Sequence, residues 1–164
     1  MAVRCVLFDV GGTLIVDNVE DRKAQALPIR GTINTVKLLS EEFVLAVVSN
    51  VPKGLNKTIK AVLIEAGFNQ SWFKAIIASN DPGMKEKPDR SMFLFAMKKV
   101  GADMSSTVMV GNTLKTDILG ANLVGIKSIF IDYNGSYIHR PIDDPKPSVI
   151  ISNIEDLPDT LKRI

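Results

Sequence analysis

The chain is predicted to be an α/β domain of three layers, a parallel sheet with helices on both faces. Two observations predict this. Short apolar runs of strand length alternate along the chain with helical stretches of about ten residues, which is the signature of βαβ units. The runs are continuously apolar, as strands buried on both faces are. At 164 residues, 46% hydrophobic and 23% charged, the chain is long enough to bury a sizeable core. No repeat, low-complexity tract or linker divides it, so residues 1–164 are read as one domain.

The first apolar run, Val3 to Phe8, reads as a buried strand that stops at a carboxylate, Asp9. Gly11, Gly12 and Thr13 follow at once and signal a tight turn with backbone N–H groups open to a ligand, Gly11 being a candidate for positive φ. The region from Leu14 to Arg30 reads as a short hairpin or loop. A helix is expected after Gly31, with Ile33, Val36, Leu38 and Leu39 near a helical period. Phe43 to Val48 is a second buried strand and ends at Ser49-Asn50. Pro52 is expected to start a helix that turns Leu55, Ile59, Val62 and Leu63 inward and closes at Gly67.

Phe73 to Ala78 is a third strand. The loop from Ser79 to Lys87 carries Gly83 with prolines on either side, which excludes regular structure. Pro88 opens a helix whose expected buried stripe is Met92, Phe93, Phe95, Ala96 and Val100, with Gly101 as its stop. A fourth strand covers Thr107 to Val110, a helix Thr113 to Val124, and a fifth strand Ile126 to Ile131. A last strand near Val149 to Ile151 precedes a helix from Ile154 to Leu161.

A formal net charge of +2 is too small to argue for nucleic acid, and no dense basic cluster appears. Cys5 is the only cysteine, so no internal disulfide can form, and its apolar run marks it as a core thiol. No apolar run approaches the ~20 residues of a membrane helix, and the N-terminus does not read as a signal peptide. A cytoplasmic location is the expectation.

Chemistry-bearing residues gather at the ends of the strands. An acid there, such as Asp9, lies where open α/β sheets place their ligands. A hydroxyl at the end of the second strand, Ser49, suits a phosphoryl oxygen near a helix start, and equally suits a helix cap. Lys87 and the competing Lys85 lie in the loop before Pro88, where a lysine is ordinarily solvent-exposed, and Pro88 fixes Lys87 just before the expected helix. Asp117 in the first turn of a helix also has a plain reading, since the helix dipole favours an acid there. His139 reads as a surface residue; nothing requires Tyr133 or Tyr137 to border the site.

Taken in order, Asp9 with Thr13, then Ser49, then Lys87-Pro88, then Gly111-Asn112 to Asp117 resemble the four motifs of the haloacid dehalogenase-like hydrolase superfamily. The resemblance implies a Rossmann-like domain with strand order 3-2-1-4-5, in which Asp9, Ser49 and Asn112 converge. It implies Asp9 as nucleophile and Lys87 as its cationic partner, both catalytic. Gly12, Thr13, Ser49 and Asn50 would bind substrate. Magnesium would be held, weakly, by Asp9, the Gly11 carbonyl, Asn112 and Asp117.

Two departures separate the chain from the phosphatase pattern. Gly11 stands where a second Asp would act as general acid and base, a function worth roughly 10²–10⁴ in rate. Asn112 stands where an Asp would bind the metal, and its neutral amide oxygen is the poorer ligand. Only 35 residues separate Thr13 from Ser49, too few for the helical cap of ~80 residues that many relatives insert there. A capless member has an open site, which points to large phosphorylated substrates or closure by a partner subunit. The leading reading is therefore a slow, magnesium-dependent phosphomonoesterase working through an aspartyl-phosphate on Asp9. The alternatives are a degraded phosphate-binding or interaction module, favoured by Gly11 and Asn112, and a metal-independent, dehalogenase-like hydrolase.

Overall fold

A computed structural model describes residues 2–17 and 24–164. Among these residues, six parallel strands form one sheet in the order β3-β2-β1-β4-β5-β6. They are β1 (Cys5–Phe8), β2 (Val44–Ser49), β3 (Ala75–Ala78), β4 (Thr107–Gly111), β5 (Lys127–Ile131) and β6 (Val149–Ile151). The expected order of five is present, and the last strand extends it at the β5 edge. The helices are α1 (Thr32–Glu42), α2 (Ile59–Glu65), α3 (Ser91–Val100), α4 (Leu119–Val124) and α5 (Leu157–Arg163).

Strand alternation sorts the side chains into two cores. Val6 and Phe8 of β1 pack with Leu45, Val47, Val108 and Val110 beneath Val36 and Leu39 of α1 and Leu157 and Leu161 of α5. Cys5 and Leu7 face the other way, with Ala46, Val48 and Met109, against Met92, Phe93 and Ala96 of α3 and Ala121 of α4. Both faces of the central strands are therefore closed to water, which explains why their sequences are apolar without alternation. Burial pushes the Cys5 thiol up to about 11, the behaviour of an inert core thiol.

Several expected boundaries shift, each for a local reason. The helix expected from Pro52 begins at Ile59. Gly54 adopts φ 81° and breaks the chain there, and Thr58 provides the cap by accepting the Ala61 N–H at 3.1 Å. The helix expected from Pro88 starts at Ser91, whose N–H is taken by Asp89 Oδ1 at 2.9 Å. Leu38 and Phe95, expected inside, are 47% and 40% exposed; Thr35 and Met97 occupy the buried positions of their helices instead. The expected helix from Thr113 opens with a π-helical turn, Leu114–Ile118, before α4. Val16 N–H donates to Leu27 O and Ile29 N–H to Leu14 O, so the expected hairpin or loop is paired at its base; residues 18–23 of it lie outside the described residues.

The register delivers the site. Phe8 lies level with Val47 of β2 and Val110 of β4. The chain leaving each of these strands therefore emerges at one end of the sheet, bringing Asp9, Ser49 and Asn112 to neighbouring strand tips.

Candidate active site

Asp9 leaves β1 with its N–H bonded to Val110 O at 3.0 Å. Its carboxylate is held from two sides. The Lys87 ammonium donates to Oδ1 at 2.7 Å, and the Thr13 hydroxyl donates to Oδ2 at 3.2 Å. Lys87 is almost entirely buried, with 1% of its side chain exposed. The same ammonium donates to Asp117 Oδ1 at 2.7 Å and to the Val48 carbonyl at 2.8 Å. All three donor hydrogens are thus used, so a buried charge that would otherwise be costly is fully satisfied. Lys85, the alternative sequence candidate, is exposed.

These contacts set the electrostatics. Burial pulls the Lys87 pKa down, but the charges of Asp117 and Asp9 outweigh it and leave it above the ordinary lysine value. Burial and the Asp9 charge push Asp117 up to about 6. Asp117 is also tied by its other oxygen, which accepts the Thr113 N–H at 3.1 Å. Gly111 allows this approach, since a Cβ there would overlap the Asp117 carboxylate.

Asn50 fixes the lysine from behind. Its Oδ1 accepts the Lys87 N–H at 2.7 Å and its Nδ2 donates to Lys87 O at 3.2 Å. The Ser49 hydroxyl is buried and donates to Asn50 O at 3.2 Å. Thr13 couples the two ends of the site, because its hydroxyl also lies 3.1 Å from Asn112 Oδ1. The turn itself differs from expectation. Gly12 N–H donates to Ile15 O and Thr13 N–H to Val10 O, so both amides are used within the loop. Positive φ belongs to Gly12, at 74°, and not to Gly11.

A cavity of about 270 Å³ opens over Asp9, Gly11, Ser49, Asn50 and Lys87. Its polar floor meets an apolar wall from Ile15, Leu55, Ile59 and Val62, and Lys57 and Glu65 also line it, paired at 2.8 Å. Asp17 is a further lining residue. No sequence pattern marked it, since only the pairing around Val16 brings it to the site. Tyr133 donates its hydroxyl to Thr13 O at 3.0 Å, and His139 is exposed. Among the described residues, no group of three or more His, Cys, Asp or Glu side chains gathers to hold a metal.

The comparisons with known proteins agree with this geometry. The HAD-hydrolase-like family model matches residues 85–157. The chain is 29% identical over 146 residues to phosphoglycolate phosphatase 1 of Pseudomonas aeruginosa, across 88% of this chain and 51% of that protein. It is 34% identical over 102 residues to human N-acylneuraminate-9-phosphatase, across 62% of this chain and 40% of that protein. The chain thus spans about half, or less, of the length of these curated relatives. Among solved structures, an uncharacterized protein from Listeria monocytogenes serotype 4b superposes with a TM-score of 0.78 at 28% identity, covering 99% of this chain and all of that one. An HAD phosphatase from Thermococcus onnurineus gives 0.78 at 18% identity, over 97% and 98% of the two chains, a likeness of fold. Sheet order, the convergence of four separated segments and these relatives point one way: the chain resembles the haloacid dehalogenase-like hydrolase superfamily.

Proposed function

We propose that the chain hydrolyses small phosphomonoesters, with Asp9 attacking phosphorus and carrying the phosphoryl group as an aspartyl-phosphate. The observation that carries this reading is the Asp9 carboxylate, fixed by Lys87 and Thr13 and lining a cavity. Lys87 offsets the charge that builds as a phosphoryl group meets a carboxylate. Ser49 and Asn50 line the same floor and are assigned to substrate binding. A volume of about 270 Å³ lies at the small end of ligand cavities. It supports a small organic phosphate over the large substrate that an open site suggested. The relatives' names, phosphatases of phosphoglycolate and N-acylneuraminate 9-phosphate, support the same class.

The residues present suit magnesium as a weakly held ion. The Thr13 hydroxyl lies within hydrogen-bond distance of both Asp9 Oδ2 and Asn112 Oδ1, so a carboxylate and an amide oxygen stand on either side of one hydroxyl. With the Gly11 carbonyl these make an all-oxygen donor set, which magnesium prefers. Both Asp117 oxygens are engaged by Lys87 and Thr113, so Asp117 is assigned contact through water. When bound, the ion would neutralise phosphoryl charge.

The test is release of phosphate from an aryl phosphate, with and without magnesium, by the parent and by Asp9→Asn. Hydrolysis by the parent and its loss by at least roughly 10³-fold in the variant is the expected result, since removal of a nucleophile abolishes the covalent route. Saturable phosphate binding without turnover would instead favour a binding module. That second reading draws on Gly11 and Asn112 and on the engagement of both Asp117 oxygens.

A further inference from the structure

We propose that Asp17 is the proton-transferring residue of this site, reaching from the hairpin into the space that Gly11 leaves empty. The inference rests on the aspartyl-phosphate reading and deepens it. That route needs a proton for the departing alkoxide and a base for the water that follows. Gly11 can give neither.

The geometry points to Asp17. A Cβ placed on Gly11 would have the Asp17 carboxyl carbon at 3.7 Å and its Oδ1 at 3.8 Å as its nearest neighbours. A side chain grown from Gly11 would extend its own carboxyl carbon only about 1.5 Å further, one C–C bond. Asp17 therefore presents a carboxylate to the volume where a carboxylate on residue 11 would lie. It lines the cavity with Asp9, Ser49 and Lys87. Its backbone position is set by the Val16 N–H to Leu27 O bond at 2.9 Å and by the bridge between Ile15 and Pro28.

Of the other titratable groups, Asp117 is buried and does not line the cavity, and Lys87 is the cationic partner of Asp9.

The steps balance. An Asp9 oxygen forms a bond to phosphorus, the bond from phosphorus to the ester oxygen breaks, and that oxygen takes the proton of the Asp17 carboxyl. Alcohol leaves. The Asp17 carboxylate then takes a proton from water, whose oxygen bonds to phosphorus. The bond from phosphorus to Asp9 breaks with its electron pair returning to the carboxylate. Inorganic phosphate leaves and Asp17 is protonated again.

Leaving-group dependence separates this role from a structural one. Nitrophenolate departs without a proton, whereas an alkoxide does not. With the full chain of Asp17→Asn and p-nitrophenyl phosphate, one equivalent of nitrophenolate should be released at the parent's rate. Steady turnover should then fall by roughly 10²-fold, because water lacks its base. Hydrolysis of glycerol 2-phosphate should fall by roughly 10²-fold with no burst. Gly11→Asp in the Asp17→Ala background, where the shortened side chain leaves that volume open, should restore both. Equal losses of burst and turnover, no loss at all, or failure of that rescue in a folded protein would overturn the role of Asp17. Absence of any Asp9-dependent hydrolysis in the parent would overturn the phosphatase reading, and this role with it. The two failures are told apart by the Asp9→Asn control.

Discussion

At the scale of single residues, adjacent glycines in the first turn do different work. Gly12 has a φ of 74°, and a Cβ on it would overlap the Asn112 amide. Gly11 has neither constraint, with its nearest would-be contact an ordinary 3.7 Å. Gly11→Ala should therefore leave the melting temperature nearly unchanged. Gly12→Ala should cost about 1–2 kcal/mol for its backbone alone, and more for the displaced Asn112. Paired urea titrations of the two variants check this; equal losses would refute the distinction. The sequence marked both glycines as turn formers and named Gly11 for the left-handed backbone, which belongs to Gly12 instead. The close approach of Asn112, 100 positions away from Gly12, is a second demand on that glycine, and no local pattern encodes it. Lys87 was legible only through the Lys-Pro motif it resembles, since a loop lysine is ordinarily exposed. Its two carboxylate partners, Asp9 and Asp117, were named in the sequence, although their meeting on one ammonium was not.

At the scale of elements, the turn after β5 carries a device that no motif announced. Asp132 Oδ1 accepts the Ser136 N–H at 2.8 Å and the Ser136 hydroxyl at 3.0 Å, and its Oδ2 accepts the Tyr137 N–H at 3.0 Å. Burial would raise this carboxyl, but these bonds prevail and hold it below its ordinary value. A group depressed on folding adds stability above its unfolded pKa and loses it as pH falls through the folded one. The contribution is therefore full above about 4, near the unperturbed value, and fades below it. Asp132→Ala should lower stability at neutral pH by about 1–3 kcal/mol. Its curve should converge with the parent's as pH drops from about 4 toward 2. Denaturant midpoints across that range test it, and a constant gap would contradict the assignment. Element boundaries were less legible than element types. Pro52 is a genuine start signal, yet Gly54 and the Thr58 cap moved the start of α2 to Ile59, since a cap with a positive-φ break before it outweighs a proline.

At the scale of the whole molecule, α3 and α4 pack tightly side by side in one helical layer. Gly120 lies against the Phe93 ring, and a Cβ on it would overlap that ring. In an exposed helix, Gly→Ala would gain up to about 1 kcal/mol. Here the gain should be reversed, with a net loss of about 1–3 kcal/mol from overpacking. Thermal unfolding of Gly120→Ala, alone and with Phe93→Leu to make room, provides the check. Relief by the second change is expected, and additive losses would refute it. Sheet order was legible because three chemistry-bearing strand ends had to converge. Helix faces were less so: periodicity alone assigned Leu38 and Phe95 to a core that Thr35 and Met97 line instead. Which face of a helix is buried is settled by its crossing angle over the sheet, a property of the assembled layers.

One ammonium, that of Lys87, grips Asp9 beyond β1, the Val48 carbonyl of β2 and Asp117 beyond β4. Three strand tips are therefore fastened at a single atom, and none can fray without stranding a charge in the interior. Ligand-binding ends of proteins ordinarily open at low free-energy cost, ahead of the rest. This end should instead open only with the sheet. In native-state amide exchange, the Asp9 N–H, bonded to Val110 O, should be protected to the level of global unfolding before any ligand is added. Lys87→Met should bring that amide to exchange locally, well ahead of the Val6 and Leu7 amides in the middle of β1.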